Sequence, residues 1–377
     1  MSRQTLAHVD LGALAGNVGA IRGFLADRRG PHAPGIIGVV KANAYGHGAG
    51  QVAHALVRAG IETLACADIE EGIALREDGI TCPILVFGPL GLGDLNGVFA
   101  HGLTPTISSP TAGLEMQRAA ARRGVRIRYH LGIDTGMNRL GFRHDNLSFT
   151  LPALLAAPNL EIEGVYTHFA TADNPGDELF ARQRRNFDAA SLQVSALGGR
   201  ARLRHAANSA ALLADPSAWF DLVRPGLLLY GVEPPGLEGR IAVKPVMSLR
   251  SRVAAVKGVR PGESIGYGAR FTAGRPTTMA VVPAGYADGL DTRLAGRGWV
   301  LVRGRRAPIV GSVCMDMITI DVTDTPVEPG DEVVITGRQG EDQIRVDDVA
   351  RWVGNIPYEL LCRIGPRVER VYNPPGL

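Results

Sequence analysis

The residues best equipped for chemistry are scattered along this 377-residue chain. Lys41 follows the apolar run Ile36-Ile-Gly-Val-Val40 and precedes a glycine-rich turn holding Tyr45 and His47. Lysine is seldom fully buried without a role. Its uncharged amine is a nucleophile able to form a Schiff base with an aldehyde. Burial and neighbouring cations lower its pKa and so favour that form. Farther along stand Arg139, His168, the pair Asn208-Ser209 and Arg224-Pro-Gly226. A serine opening a short helix offers its hydroxyl and nearby amides to an anion. A glycine lets further backbone amides approach it. Taken singly, these are also what a helix cap, a turn or a core histidine looks like. Their weight depends on a fold that gathers them.

The apolar pattern supplies one. Asp10 is placed to cap a helix starting at Leu11. Strands are then predicted at Ile36–Val40, Thr63–Ala67, Ile84–Phe87, Thr104–Ile107, Arg126–Ile133, Ile162–His168, Arg202–His205 and Asp221–Arg224. Helical segments alternate with them, among them Leu92–Ala100, Leu147–Ala156 and one capped by Ser109 with Pro110 at its first position. Eight strands in strict alternation with helices predict an α/β chain whose N-terminal domain, 11–236, is a (β/α)8 TIM-type barrel. The site of such a barrel lies at the carboxyl ends of its strands, which is where Lys41, Arg139, His168, Ser209 and Arg224 fall. No GxGxxG follows a strand, which argues against a dinucleotide site. Beyond Glu233-Pro-Pro-Gly236 the runs turn short and β-rich: Ser251–Val256, Thr278–Val282, Trp299–Val302, Met317–Val322 and Glu332–Ile335. They predict a smaller, mainly β C-terminal domain over 237–377, joined by a strand from residues 1–10.

Composition narrows the classes further. With 45% apolar and 20% charged residues the chain can bury a large core. A net charge of +3 with scattered basic pairs argues against a nucleic-acid partner. No apolar stretch is long enough to span a membrane, and the first residues lack a secretory h-region. Four cysteines without CxxC pairing predict free, mostly buried thiols and a cytoplasmic protein. No metal site is expected.

The segment Val40-Lys41-Ala-Asn-Ala-Tyr45-Gly-His-Gly48 resembles the cofactor-lysine segment of the alanine racemases. Asp134-Thr-Gly-Met-Asn-Arg139-Leu-Gly, Thr167-His168-Phe-Ala, Ala207-Asn208-Ser209 and Val223-Arg224-Pro-Gly226 match further motifs of that family. So do Gly266-Tyr267-Gly268, Gly285-Tyr286-Ala-Asp-Gly289, Val313-Cys-Met315-Asp316 and Ile356-Pro-Tyr358-Glu359, all in family order across nearly the whole chain. The resemblance implies pyridoxal 5'-phosphate bound covalently to Lys41, with Tyr45, Ser209, Gly226 and Tyr358 on its phosphate. It implies Arg224 against the pyridine nitrogen, His168 beside the cofactor, and Arg139 on both the cofactor's phenolic oxygen and the substrate. Lys41 and Tyr267 become the two acid/base groups, Lys41 on the D-amino acid face and Tyr267 on the L face. Tyr267 and Met315 are expected from the other subunit of a homodimer, the Met315 N–H holding the substrate carboxylate. Tyr286 and Ile356 line the entry corridor. The implied activity interconverts L- and D-alanine for peptidoglycan. An arginine at 224 separates the chain from the related barrel decarboxylases, which use a glutamate there.

Two positions depart from the family pattern. Many members carry a carbamylated lysine two residues before the aspartate of the arginine loop, where it orients the arginine; here stands Gly132. Arg139 is then expected to be oriented by an anion, a water or a neighbouring side chain. Many members also carry an arginine just before Val-Cys-Met, where this chain has Ser312. The loss of two long side chains keeps open a serine or broad-specificity racemase.

Overall fold

The predicted apolar runs pair side by side, all parallel, and close on themselves. The computed structural model describes residues 4–90, 95–174 and 176–373. After β1 (Leu6–Asp10), the barrel strands are β2 (Gly35–Val39), β3 (Thr63–Cys66), β4 (Ile84–Val86), β5 (Thr104–Ile107) and β6 (Ile127–Asp134). A two-residue β7 (Phe142–Arg143) lies beside β6; β8 (Leu160–Tyr166), β9 (Leu203–His205) and β10 (Leu222–Val223) complete the ring. Closure comes from β10 on β2, with Leu222 opposite Gly35 and Val223 opposite Ile36. Every junction around the ring is parallel. The N-terminal (β/α)8 barrel expected from the alternation is present.

Helices pack outside it by the spacing of their apolar residues. In Leu11–Arg29, Leu11, Leu14, Val18, Ile21 and Leu25 are buried at intervals of three and four, forming one face. Asp10 caps this helix by accepting from the Ala13 N–H at 2.8 Å. Ser109 caps Pro110–Arg123 as expected. The predicted Leu147–Ala156 helix is broken into Leu147–Thr150 and Pro152–Leu155, because Pro152 has no N–H to continue the ladder. Of the predicted Leu92–Ala100 helix, Leu95–Ala100 is helical, and residues 92–94 lie outside the described residues.

The C-terminal part is mainly β: β11 (Met247–Arg252), β12 (Ala255–Val259), β13 (Ser264–Ile265), β14 (Phe271–Thr272), β15 (Thr277–Val282), β16 (Trp299–Val302), β17 (Arg305–Val310), β18 (Ile318–Asp321), β19 (Glu332–Gln339), β20 (Asp342–Ile344) and β21 (Glu369–Asn373). The run expected as one strand at Ser251–Val256 is two. At Val253 and Ala254 the backbone leaves one set of partners for another, bonding the Asp331 and Val281 carbonyls in turn. β17, hidden from the apolar pattern by its opening Arg305-Arg306, pairs between β16 and β18. β1 inserts between β11, antiparallel, and β21, parallel. The short hairpin β13–β14 stands apart as its own two-stranded sheet. Of the four free cysteines only Cys66 is buried; Cys362 is exposed, which corrects the expectation of mostly buried thiols. Among the described residues no helix is long and apolar enough to cross a membrane.

Candidate active site

At Lys41 the chain leaves β2 and turns left-handed. Ala42, Asn43, Ala44 and Tyr45 all have φ between 52° and 54°. Each such non-glycine residue costs roughly 1–2 kcal/mol, so the turn persists only because its surroundings over-determine it. The Glu71 carboxylate accepts from the Ala42 N–H at 2.6 Å and, with its other oxygen, from the Ala67 N–H at 2.8 Å. Asn43 Oδ1 accepts from the Ala49 N–H. His47 Nδ1 lies 3.0 Å from the Ala44 carbonyl and 2.9 Å from that of Tyr45, so it donates and ties the turn. Burial drives the His47 pKa down to about 4, against the opposing effect of those bonds. Gly46 is required here: a Cβ would stand 2.2 Å from the Leu361 carbonyl, at φ 79°. That close approach brings helix Pro357–Cys362, and with it Tyr358, from the C-terminal part onto the barrel mouth.

The turn aims Lys41 into a cavity of about 170 Å³ that Tyr45, Met137, Arg139, His168, Ser209, Arg224, Gly226 and Tyr358 also line. Desolvation, and then the Arg139 guanidinium, lower the Lys41 pKa; Cys362 and Glu71 oppose them more weakly. Among the described residues its amine makes no hydrogen bond or ion pair. His168 Nδ1 lies 3.2 Å from the buried guanidinium of Arg224. Burial and then Arg224 hold His168 down to about 3, so it is neutral at physiological pH. Its loop is pinned by Gln183, which donates to the His168 carbonyl at 3.0 Å and accepts from the Ala170 N–H.

At the phosphate-like end, Ser209 Oγ accepts from the N–H groups of Gly226 at 3.0 Å and Leu228 at 3.4 Å. The Gly226 amide thus already has a partner. The hydroxyl hydrogens of Ser209, Tyr45 and Tyr358 have no acceptor among the described residues. A Cβ on Gly226 would lie 2.3 Å from the Tyr45 hydroxyl, so glycine keeps this cradle open. Three such hydroxyls, a nearby lysine and a buried arginine suit a phosphate monoester carrying an aldehyde and a ring nitrogen. The residues present therefore fit pyridoxal phosphate.

The arginine loop is shaped by Asp134, whose Oδ1 accepts from the N–H groups of Gly136 at 2.9 Å and Asn138 at 3.1 Å. Arg139 itself makes no hydrogen bond or ion pair among the described residues. The space above Gly132 is taken: a Cβ there would lie 3.1 Å from the Tyr166 hydroxyl and 3.2 Å from its ring. Tyr267 and Met315 are not in this cavity. They project from the C-terminal part, 78% and 52% exposed, with Tyr286 and Ile356 also exposed. Ser312 Oγ donates to the Tyr267 carbonyl at 2.7 Å, tying it to the segment that carries Met315. No hydrogen bond from the Met315 N–H forms among the described residues. Sequence reasoning missed Glu71 and Gln183, both on barrel helices whose apolar pattern carries no sign of the loops they hold.

Known proteins resemble the chain along its whole length. Residues 9–234 match the family model described as alanine racemase, N-terminal domain, and residues 246–372 the one described as alanine racemase, C-terminal domain. An alanine racemase of Symbiobacterium thermophilum is 41% identical over 372 residues, covering 98% of this chain and 97% of that one. One of Geobacter sulfurreducens is 42% identical over 382 residues, covering 100% and 99%. The solved alanine racemase of D-cycloserine-producing Streptomyces lavendulae superposes with a TM-score of 0.95 at 36% identity, covering 100% of this chain and 98% of that one. That of Bacillus anthracis with bound L-Ala-P gives 0.92 at 37%, covering 99% and 96%. The chain belongs to the alanine racemase family.

Proposed function

We propose that the chain interconverts L- and D-alanine on pyridoxal phosphate held covalently by Lys41, in the cytoplasm, supplying D-alanine for peptidoglycan. The observation that carries this is the split between a cavity gathering Lys41, Arg139, His168 and Arg224 and an exposed Tyr267 that the same cavity lacks. Racemisation removes a proton from one face of the α-carbon and returns one to the other, so two acid/base groups must face each other. Lys41, its pKa lowered by desolvation and Arg139, serves the D face. Tyr267 of the partner subunit serves the L face, which makes the working form a homodimer with shared sites.

The cofactor, when bound, draws electrons from the α-carbon and makes its proton removable. Tyr45, Ser209 and Tyr358 would hold its phosphate beside Gly226, and Arg224 would face its ring nitrogen. Arg224 does not readily give up a proton, so it would leave that nitrogen unprotonated. Arg139 and the N–H of Met315 of the partner subunit hold the substrate carboxylate, while Tyr286 and Ile356 narrow the entry. Ser312 is committed to Tyr267 and the ring of Tyr166 covers Gly132, so neither departure opens room for a larger side chain; this favours alanine over serine. The test is a racemisation assay across alanine, serine and larger amino acids with purified protein. Turnover of alanine with an aldimine-band absorption is expected. Faster turnover of serine would move the assignment to the broader racemases, and absence of any racemisation would sink it.

A further inference from the structure

Arg224 is 4% exposed, and no carboxylate pairs with it among the described residues. Its NH2 reaches the Thr167 carbonyl at 2.8 Å, the Ala206 carbonyl at 2.9 Å and His168 at 3.2 Å, while NH1 lies 2.9 Å from His205 Nδ1. A guanidinium buried without a counter-charge is costly. The compensation starts at His205. A guanidinium only donates, so His205 Nδ1 holds a lone pair and its proton sits on Nε2. That Nε2–H points at His130 Nδ1, 2.7 Å away. His130 in turn carries its proton on Nε2, which faces Glu163 Oε2 at 3.7 Å, an electrostatic contact longer than a hydrogen bond. The order of donors through the two rings is set from the Arg224 end, since reversing either nitrogen-to-nitrogen link brings two N–H groups face to face.

The path is built into the barrel wall. His205 is fully buried and His130 nearly so. Gly164 leaves the seat for His130, because a Cβ there would stand 2.7 Å from its Nδ1. The ring of Tyr166 stacks on His205 at 5.3 Å and 5°. Glu163 sits at the outer end, where Arg128 also pairs with it at 3.1 Å and Arg202 lies nearby. We propose that Glu163, His130 and His205 form a one-way chain that supplies Arg224 with a remote counter-charge and fixes the plane of its guanidinium. His205 and Glu163 are thereby positioning residues for the group that Arg224 faces. One shift agrees: burial, then Arg224, hold His205 well below the imidazole range, which keeps its ring neutral. The arrangement of the chain stands independently of the cofactor; its effect on turnover rests on the racemase reading.

The test is nitrogen-15 NMR of full-length protein labelled at histidine, with assignments from His130→Gln and His205→Gln. At pH 7 both rings are expected with the proton on Nε2 and a bare Nδ1. A proton on Nδ1 of either ring overturns the chain, whether or not the protein racemises anything. The second arm is Glu163→Gln, followed through the guanidinium carbon signal of Arg224, whose pKa burial brings down to about 10. Loss of the remote charge is expected to lower that midpoint further, by about half a unit to one unit, with Glu163→Asp restoring it. An unmoved midpoint overturns the counter-charge role. In the holoenzyme the same Glu163→Gln change is expected to raise keto-acid formation per racemisation about threefold or more, with KM little changed.

Discussion

At the barrel mouth, Tyr45, Arg224, His47 and His205 are buried, cross-bonded and continuous with the main core; on the C-terminal part, Tyr267 is 78% exposed on a two-stranded hairpin. The hairpin rests on a satellite cluster of four buried residues, Val259, Ile265, Ala273 and Val310. Both regions carry residues of the same proposed reaction, yet one is organised within a single chain and the other presents its groups outward. A preorganised half holds its groups at low reorganisation cost. The exposed half gains its order from whatever covers it, and a second copy of the chain is the proposed cover. The contrast teaches where each half is vulnerable: the barrel half to loss of internal partners, the hairpin half to loss of its neighbour.

The sharpest way to break this contrast is Lys41→Ala. It is expected to remove the cofactor's aldimine absorption and to lower kcat/KM by about 10⁴-fold or more. A variant that keeps both would place the covalent chemistry elsewhere. Tyr267→Phe is expected to lower L-to-D turnover by about 10²- to 10⁴-fold while the absorption stays. Mixing the two inactive variants with confirmed subunit exchange should recover about a quarter of wild-type activity, since half of the dimers then hold one intact site. No recovery would mean that each chain completes its own site.

Acid should expose the barrel half selectively. His47 and His168 are neutral in the fold, with pKa values down at about 4 and about 3. The unfolded chain takes up protons below pH 6.5 that the fold cannot, so stability is full above 6.5 and falls as pH drops toward 4. His47 alone contributes roughly 3 kcal/mol to that loss. Melting curves between pH 7 and 4 should show it, and His47→Asn should flatten the slope; an equally steep slope would remove His47 from the account. The smallest expected effect lies on the hairpin. Ser312→Ala deletes the bond to the Tyr267 carbonyl, about 0.5–1.5 kcal/mol, and should lower kcat a fewfold with the absorption untouched. Unchanged turnover would show that the partner alone orders Tyr267.

The same contrast governs what was legible in the sequence. Barrel strands are short apolar runs bounded by turns, so the alternation was readable and the parallel ring followed from it. β17 was not, because Arg305 and Arg306 open it and its core-facing residues come later. The split at Val253 was invisible because a change of sheet partner leaves no mark on an apolar run. Within the site, residues at strand ends could be placed by position, whereas Tyr267 and Met315 were reachable only through resemblance. Nothing in Lys41-Ala-Asn-Ala-Tyr45 announces four consecutive left-handed residues, since alanine and tyrosine disfavour that conformation. The turn is imposed by Glu71, His47 and Gly46, and only a three-dimensional view reveals their agreement.

The position of β1 has a consequence for how the chain comes to be folded. Residues 6–10 are made long before β11 and β21, between which they pair and of which the second ends at Asn373. At about 5–20 residues per second, that strand waits roughly 20–70 s for its second neighbour. The barrel needs nothing beyond β10 for closure, so it can complete its ring while the β-rich sheet still lacks its outer strand. Docking of β1 is then a late, long-range step, the kind that slows folding most. A polypeptide cut short before β21 would carry a closed barrel beside an open sheet edge, a form prone to pairing with other chains.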